Sequence, residues 1–251
     1  MNIFVLRKGK IIFLLMLAVV VGGVCFAPNA RHVFMSGTRN LPIYSVERED
    51  SKVALTFNCA WEDKDIDQIL ETLSKYDIKA TFFLVGQWAE KYPESACAIK
   101  DAGHELGGHS YDHKDYANMS EEQIKEDITK TIEVIENTTG TKINLIRVPS
   151  GSYNNQVISA VEDMGCVPIQ WSIDTIDYGG ADCESIFNRA TEKTQSGDIV
   201  LMHTGTDNTA ATLPRILDSL SSKYQLCTVS QLLLDDNYYV DNAGKMRQNN
   251  G

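Results

Sequence analysis

His109 and His113, in the stretch Gly-His-Ser-Tyr-Asp-His-Lys from Gly108 to Lys114, are two of the five histidines in the chain. Four residues apart, two imidazoles can face one point in space, on a helical turn or on a tight loop, and that is a metal-ligand spacing. The plain alternative is a pair of solvated loop histidines. Other residues able to do chemistry are scattered: Asn58 and Cys59 after an apolar run, Arg147 ahead of Pro149 and Gly151, Asp174 and Asp177 near Trp171, and His203 directly after Ile199, Val200, Leu201 and Met202. Each has an ordinary reading as well. Asp174 and Asp177 could cap the following helix, Arg147 could serve a salt bridge, and His203 could end a strand bonded to backbone.

These residues become a site only if the fold gathers them, and the apolar pattern says how. Short apolar runs at 53–57, 80–85, 104–107, 143–148, 167–173, 199–202 and 226–229 read as strands. They alternate with helical stretches at 65–76, 86–102, 120–139, 157–164, 183–194 and 210–220. Ser120 with Gln123 makes a capping box, and Gly103, Gly140 and Gly165 stand where helices stop. Alternating β and α units imply a parallel sheet, and so many in one domain imply a (β/α) barrel. In a barrel the residues just after each strand lie on one rim, and the candidate residues fall there.

The formal charge of −11 makes nucleic acid or anionic lipid a poor partner. Arg7, Lys8 and Lys10 precede an apolar and glycine run over residues 11–27, which reads as a membrane anchor with its basic end cytoplasmic and the rest of the chain extracytoplasmic. A cleaved signal peptide and a secreted protein are the alternative. Residues 28–47 read as a linker, 48–234 as one domain, and 235–251 as a polar, disordered tail. Of six cysteines, Cys25 lies in the apolar run and the other five show no close pairing pattern.

In chain order, Thr56-Phe57-Asn58-Cys59, His109-Ser110-Tyr111-Asp112-His113, Arg147-Val148-Pro149-Ser150-Gly151, Asp174-Thr175-Ile176-Asp177-Tyr178 and Leu201-Met202-His203 resemble the motifs of the polysaccharide deacetylase family, the NodB-homology domain of carbohydrate esterase family four. Ala80 to Phe83 and Gly103 to Glu105 also resemble it, and the short chain with its apolar start is similar to the sporulation-associated members. The resemblance implies a distorted (β/α) barrel that removes N-acetyl groups from peptidoglycan or chitin-like N-acetylglucosamine polymers. It implies a divalent ion, zinc above all, held by His109, His113 and the residue at Cys59, whose bound water attacks the acetamide. It implies a base at position 58, Arg147 beside that base, an acid at His203 tuned by Asp177, and substrate contacts from Ser150, Gly151, Trp171 and Tyr178.

The chain departs from the pattern where the family carries two aspartates. Asn58 stands at the base and cannot accept a proton at neutral pH, and Cys59 stands at the metal ligand. Cys59 either binds zinc as a thiolate or packs as a small buried residue. Glu62 and Asp63 are the nearest substitutes for the base. Two functions follow: a hydrolase with a substituted base, or a non-catalytic glycan binder keeping aromatics such as Trp61, Trp88, Tyr111 and Tyr178 for stacking. A membrane-tethered structural partner is a third.

Overall fold

A computed structural model describes residues 40–249. The expected anchor over 1–27 and the linker up to residue 39 lie outside the described residues. The chain is organised on β2 (Lys52–Cys59), which follows a two-residue β1 (Ser45–Val46) and is buried along almost its whole length. Its side chains alternate between two faces. Val53, Leu55, Phe57 and Cys59 belong to the apolar layer between sheet and helices, while Ala54 belongs to a second apolar cluster inside the curl of the sheet.

Around β2 run α1 (Ile66–Lys75), β3 (Thr81–Leu84), α2 (Gly86–Lys91), α3 (Pro93–Asp101) and β4 (Glu105–Gly108). The single helical stretch expected over 86–102 is two helices, because Pro93 opens α3 and lacks the N–H needed to continue α2. Next come α4 (Glu121–Thr139), β5 (Leu145–Ile146), α5 (Asn155–Asp163), β6 (Val167–Pro168) and β7 (Ile173–Asp174). The capping box of Ser120 and Gln123 is present, and Gly140 closes α4 in the left-handed region at φ 72°. Then follow α6 (Cys183–Thr191), β8 (Ile199–His203), α7 (Thr209–Ser221), β9 (Gln225–Cys227) and a one-turn α8 (Val229–Leu232).

The large sheet is parallel throughout, in the order β6-β5-β4-β3-β2-β8-β7, with β9 beside the first residues of β2. The run expected as one strand over 167–173 is two strands at opposite ends of this sheet. Only residues 169–172 join them. Even fully extended, the steps from Pro168 to Ile173 span no more than roughly 17 Å, so the two edges lie within that distance of each other although they do not pair. That short passage forces the sheet to curl into the barrel expected from the sequence.

The tail expected to be disordered is ordered from 235 to 249. Tyr238–Val240 (β10) and Lys245–Gln248 (β11) form a hairpin, and β11 pairs in parallel with β1, within the expected linker. Met246 explains the order: 1% exposed, it packs with Ile43, Val46, Val229 and Leu232 and plugs the end of the barrel away from the candidate residues. Gly197 lets β1 approach, since a Cβ there would lie 1.7 Å from the carbonyl oxygen of Val46.

Candidate active site

Three layers fill the barrel above the Met246 plug. The apolar layer ends at Ala54 and Ile199. The next layer is polar and built on Arg147, which is fully buried. Its guanidinium lies over the Phe83 ring at 4.0 Å and near Trp171 at 5.6 Å. Its Nη1 donates to Thr56 Oγ1 and to Asn58 Oδ1, both at 2.9 Å, and Nη2 donates to the Gln170 carbonyl at 3.1 Å. Burial pulls this guanidinium down to about 9, partly offset by the charge of Asp174. Arg147 is therefore a buried cation held by neutral acceptors, neither a surface salt bridge nor a lining residue of the cleft.

The third layer is the rim. β2 and β8 are in register with Asn58 opposite His203, and β4 delivers His109, so three side chains from separate motifs meet. Asn58 Nδ2 lies 3.2 Å from His109 Nε2 and 3.5 Å from His203 Nε2. His109 Nδ1 donates to the Arg147 carbonyl at 2.8 Å. Burial, then the neighbouring His113, holds His109 well below the usual histidine range, and burial lowers His113 as well. The two rings stand edge to face with centroids 4.9 Å apart. Ser110 and His113 both take left-handed backbone, at φ 59° and 60°. Asp127 on α4 clamps this loop by accepting from the Tyr111 N–H at 2.8 Å and the Tyr116 hydroxyl at 2.5 Å.

His203 is fixed from behind by Asp177. The carboxylate accepts from His203 Nδ1 and the His203 backbone N–H, each at 2.7 Å, from Thr209 Oγ1 at 2.6 Å and from the Tyr178 N–H at 3.0 Å. A carboxylate can only accept here, so Nδ1 carries a proton and Nε2 is the ring nitrogen turned to the cleft, an acceptor in the neutral form of the ring. Trp61 and Tyr178 stand either side of His203, with ring centroids at 5.2 and 5.1 Å, and both are about half exposed. Trp61 is held by a loop packing so close that a Cβ on Gly205 would lie 2.6 Å from the Glu62 carbonyl, and Asp65 accepts from the Gly205 N–H at 2.7 Å.

These walls enclose a cleft of about 250 Å³ lined by Asn58, Trp61, His109, His113, Ser150, Trp171, Tyr178, Leu201 and His203. Ser150 reaches it from a short 3₁₀ turn in which it takes φ 56°. Gly151 sits behind, where a Cβ would meet the Trp171 ring at 3.4 Å. Asp174 stays on β7, accepting from the Ile176 N–H.

Several expectations change. Cys59, next along β2 from Asn58, points to the opposite face; it is fully buried in the apolar layer, and burial pushes its thiol up. It is no ligand to an ion between the histidines. Among the described residues no group of three or more His, Cys, Asp or Glu side chains could hold a metal. The residues present do not fit the implied ion, since its histidine pair has no third donor and His109 Nε2 already faces the Asn58 amide. Glu62 is exposed and Asp63 accepts from Ser95, so neither lines the cleft or replaces the base. Trp88 is 2% exposed and belongs to the apolar layer, and Tyr111 lies under Lys130 with its hydroxyl on Glu90. Thr56, Thr209, Gln170 and Asp65 support the site without having been expected there. No sequence signal singles any of them out, since each acts through a partner far along the chain.

The arrangement presents two half-exposed aromatic rings, Trp61 and Tyr178, beside the Nε2 edge of His203. Among the described residues, none of the side chains lining this cleft is a carboxylate that could take a proton from water.

The polysaccharide deacetylase family profile matches residues 45–169. A peptidoglycan-N-acetylglucosamine deacetylase of Bacillus cereus is 31% identical over 196 residues, covering 76% of this chain and 92% of that protein. The uncharacterized protein YlxY of Bacillus subtilis is 35% identical over 193 residues, 76% of this chain, and the chain spans only 60% of that relative's length. Among solved structures, BA3943 of Bacillus anthracis, described as a carbohydrate esterase family 4 pseudoenzyme, superposes with a TM-score of 0.74 at 35% identity, covering 76% of this chain and 68% of that one. A mutant of BA3943 is described as having restored enzymatic activity. With the barrel, the ordered motifs and relatives of this similarity in agreement, the chain belongs to the polysaccharide deacetylase family.

Proposed function

We propose that this chain binds N-acetylated cell-wall glycan in the cleft between Trp61 and Tyr178 without hydrolysing it. One observation carries the reading: among the described residues the cleft has no carboxylate lining, while its aromatic walls and its imidazole acceptor are kept. Deacetylation needs a base to take the proton of the attacking water, a contribution of roughly 10²–10⁴ in rate, and Asn58 cannot supply it. Binding needs neither base nor ion. Sugar rings stack on Trp61 and Tyr178, the acetamide N–H points to His203 Nε2, and the Ser150 turn lies against the acetyl group. The deacetylase relatives supply the substrate class, and the pseudoenzyme neighbour supplies a precedent for the family fold without turnover. Residues 1–27 would tether the domain outside the cytoplasm, where such glycan lies.

The intact pairing of His203 with Asp177 supports a second reading, a slow hydrolase that keeps its acid. Both are tested on the purified full chain with N-acetylglucosamine oligomers and peptidoglycan. The binding reading expects saturable affinity for the oligomers, weakened several-fold by Trp61→Ala, with no acetate above a protein-free control. Acetate release that His203→Ala abolishes establishes the second reading instead.

A further inference from the structure

We propose that the Asn58 carboxamide occupies the place of the family's divalent ion, closing a hydrogen-bonded ring that consumes the imidazole lone pair such an ion needs. Three residues make the ring, and each is almost fully buried: Arg147 at 0%, His109 at 1% and Asn58 at 3% exposure. A guanidinium can only donate, so the Asn58 atom 2.9 Å from Arg147 Nη1 is the carbonyl oxygen. The other end of the amide, 3.2 Å from His109 Nε2, is then the NH₂ group and donates. His109 Nε2 must accept, which leaves the ring proton on Nδ1, and Nδ1 donates to the Arg147 carbonyl at 2.8 Å. The circuit begins and ends on Arg147. Every polar atom in it has one role, and no atom is free to change role unless the circuit breaks.

A cation at His109 Nε2 would displace the amide donor and leave an N–H pointing at positive charge, beside a guanidinium that already lacks a paired carboxylate. His113 and His109 alone would hold the ion. The geometry also identifies the change that reverses this. Two ligand atoms at about 2.0–2.1 Å from one ion lie roughly 3 Å apart, and Nδ2 lies 3.2 Å from Nε2. An oxygen in place of Nδ2 would face the Nε2 lone pair acceptor to acceptor, and that arrangement calls for a cation between them. Asn58→Asp therefore turns a site closed to metal into one that takes it up. The inference is independent of glycan binding, because neither glycan nor turnover enters its test.

The test is zinc binding to the purified full chain, read by competition with a chromophoric chelator, beside ¹⁵N spectra of the histidines. The natural chain is expected to take up no zinc into the site, with His109 in its Nδ1–H form and unshifted by added zinc. Asn58→Asp is expected to bind one equivalent, at least about a hundredfold tighter than the natural chain, and His113→Ala in that background to lose it. Asn58→Ala, which frees the lone pair without adding a ligand, is expected to stay weak. Zinc uptake by the natural chain that shifts His109, or an Nε2–H form of that ring, overturns the proposal. So does a folded Asn58→Asp with no gain; if that variant does not fold, the His109 spectra of the natural chain decide alone.

Discussion

His203 owes its orientation to a carboxylate that is itself held by three neighbours, and the least conspicuous of them is Thr209. Its hydroxyl donates to Asp177 Oδ2 at 2.6 Å while accepting from Thr206 at 2.6 Å. Thr209→Val keeps the shape and removes the donor, leaving a buried anion one hydrogen bond short. A loss of about 1–3 kcal/mol in unfolding free energy is expected, and Thr209→Ser should restore most of it in urea titrations. Equal losses from both variants would show that packing, not the hydroxyl, is what matters at this position. The reason Thr209 was not legible in the sequence is general to this site. His109, His113, Arg147, Asp177 and His203 stand out by type and place, whereas Thr56, Thr209 and Gln170 matter only through partners 91, 32 and 23 residues away. Cys59 shows the converse, because residue type permits ligation and only the alternation of β2 decides which face it takes.

At the level of elements, helices with strong punctuation were readable to within a residue or two, as α4 was from Ser120, Gln123 and Gly140. What could not be read was pairing without apolar alternation. β10 and β11 carry mostly polar or aromatic side chains, and a single buried methionine commits them to the barrel. Met246→Ala is expected to cost about 2–4 kcal/mol, and a chain ending at Leu234 should melt well below the full one, as scanning calorimetry would record. An unchanged melting temperature in the truncated chain would mean that the hairpin contributes nothing to the fold. The division of residues 167–173 into two strands was equally hidden, since a continuous apolar run cannot show where the chain leaves one edge of a sheet and joins the other.

For the molecule as a whole, acid should be more damaging than the sequence suggests. Burial lowers His104 to about 4, and its Nδ1 accepts from the Ala80 N–H. Burial also lowers His109 and His113. A depressed histidine means that the unfolded chain takes up protons the folded one refuses, so stability is full above the ordinary value near 6.5 and falls as pH drops toward 4. Asp65 and Glu162, raised by burial, act in the opposite sense. Denaturation midpoints should therefore fall between pH 7.5 and pH 5, with a smaller fall in His104→Asn, whose oxygen can take over the Ala80 contact; a flat profile would contradict this. The barrel was legible in the βα rhythm, but the passage of residues 169–172 from one edge of the sheet to the other was not. The edges β6 and β7 are joined as two ligands are joined by a short linker, each presented to the other at a fixed, high effective concentration. Holding them near each other costs little loop entropy, and Trp171, carried on the linker itself, is delivered to the cleft by the same short passage.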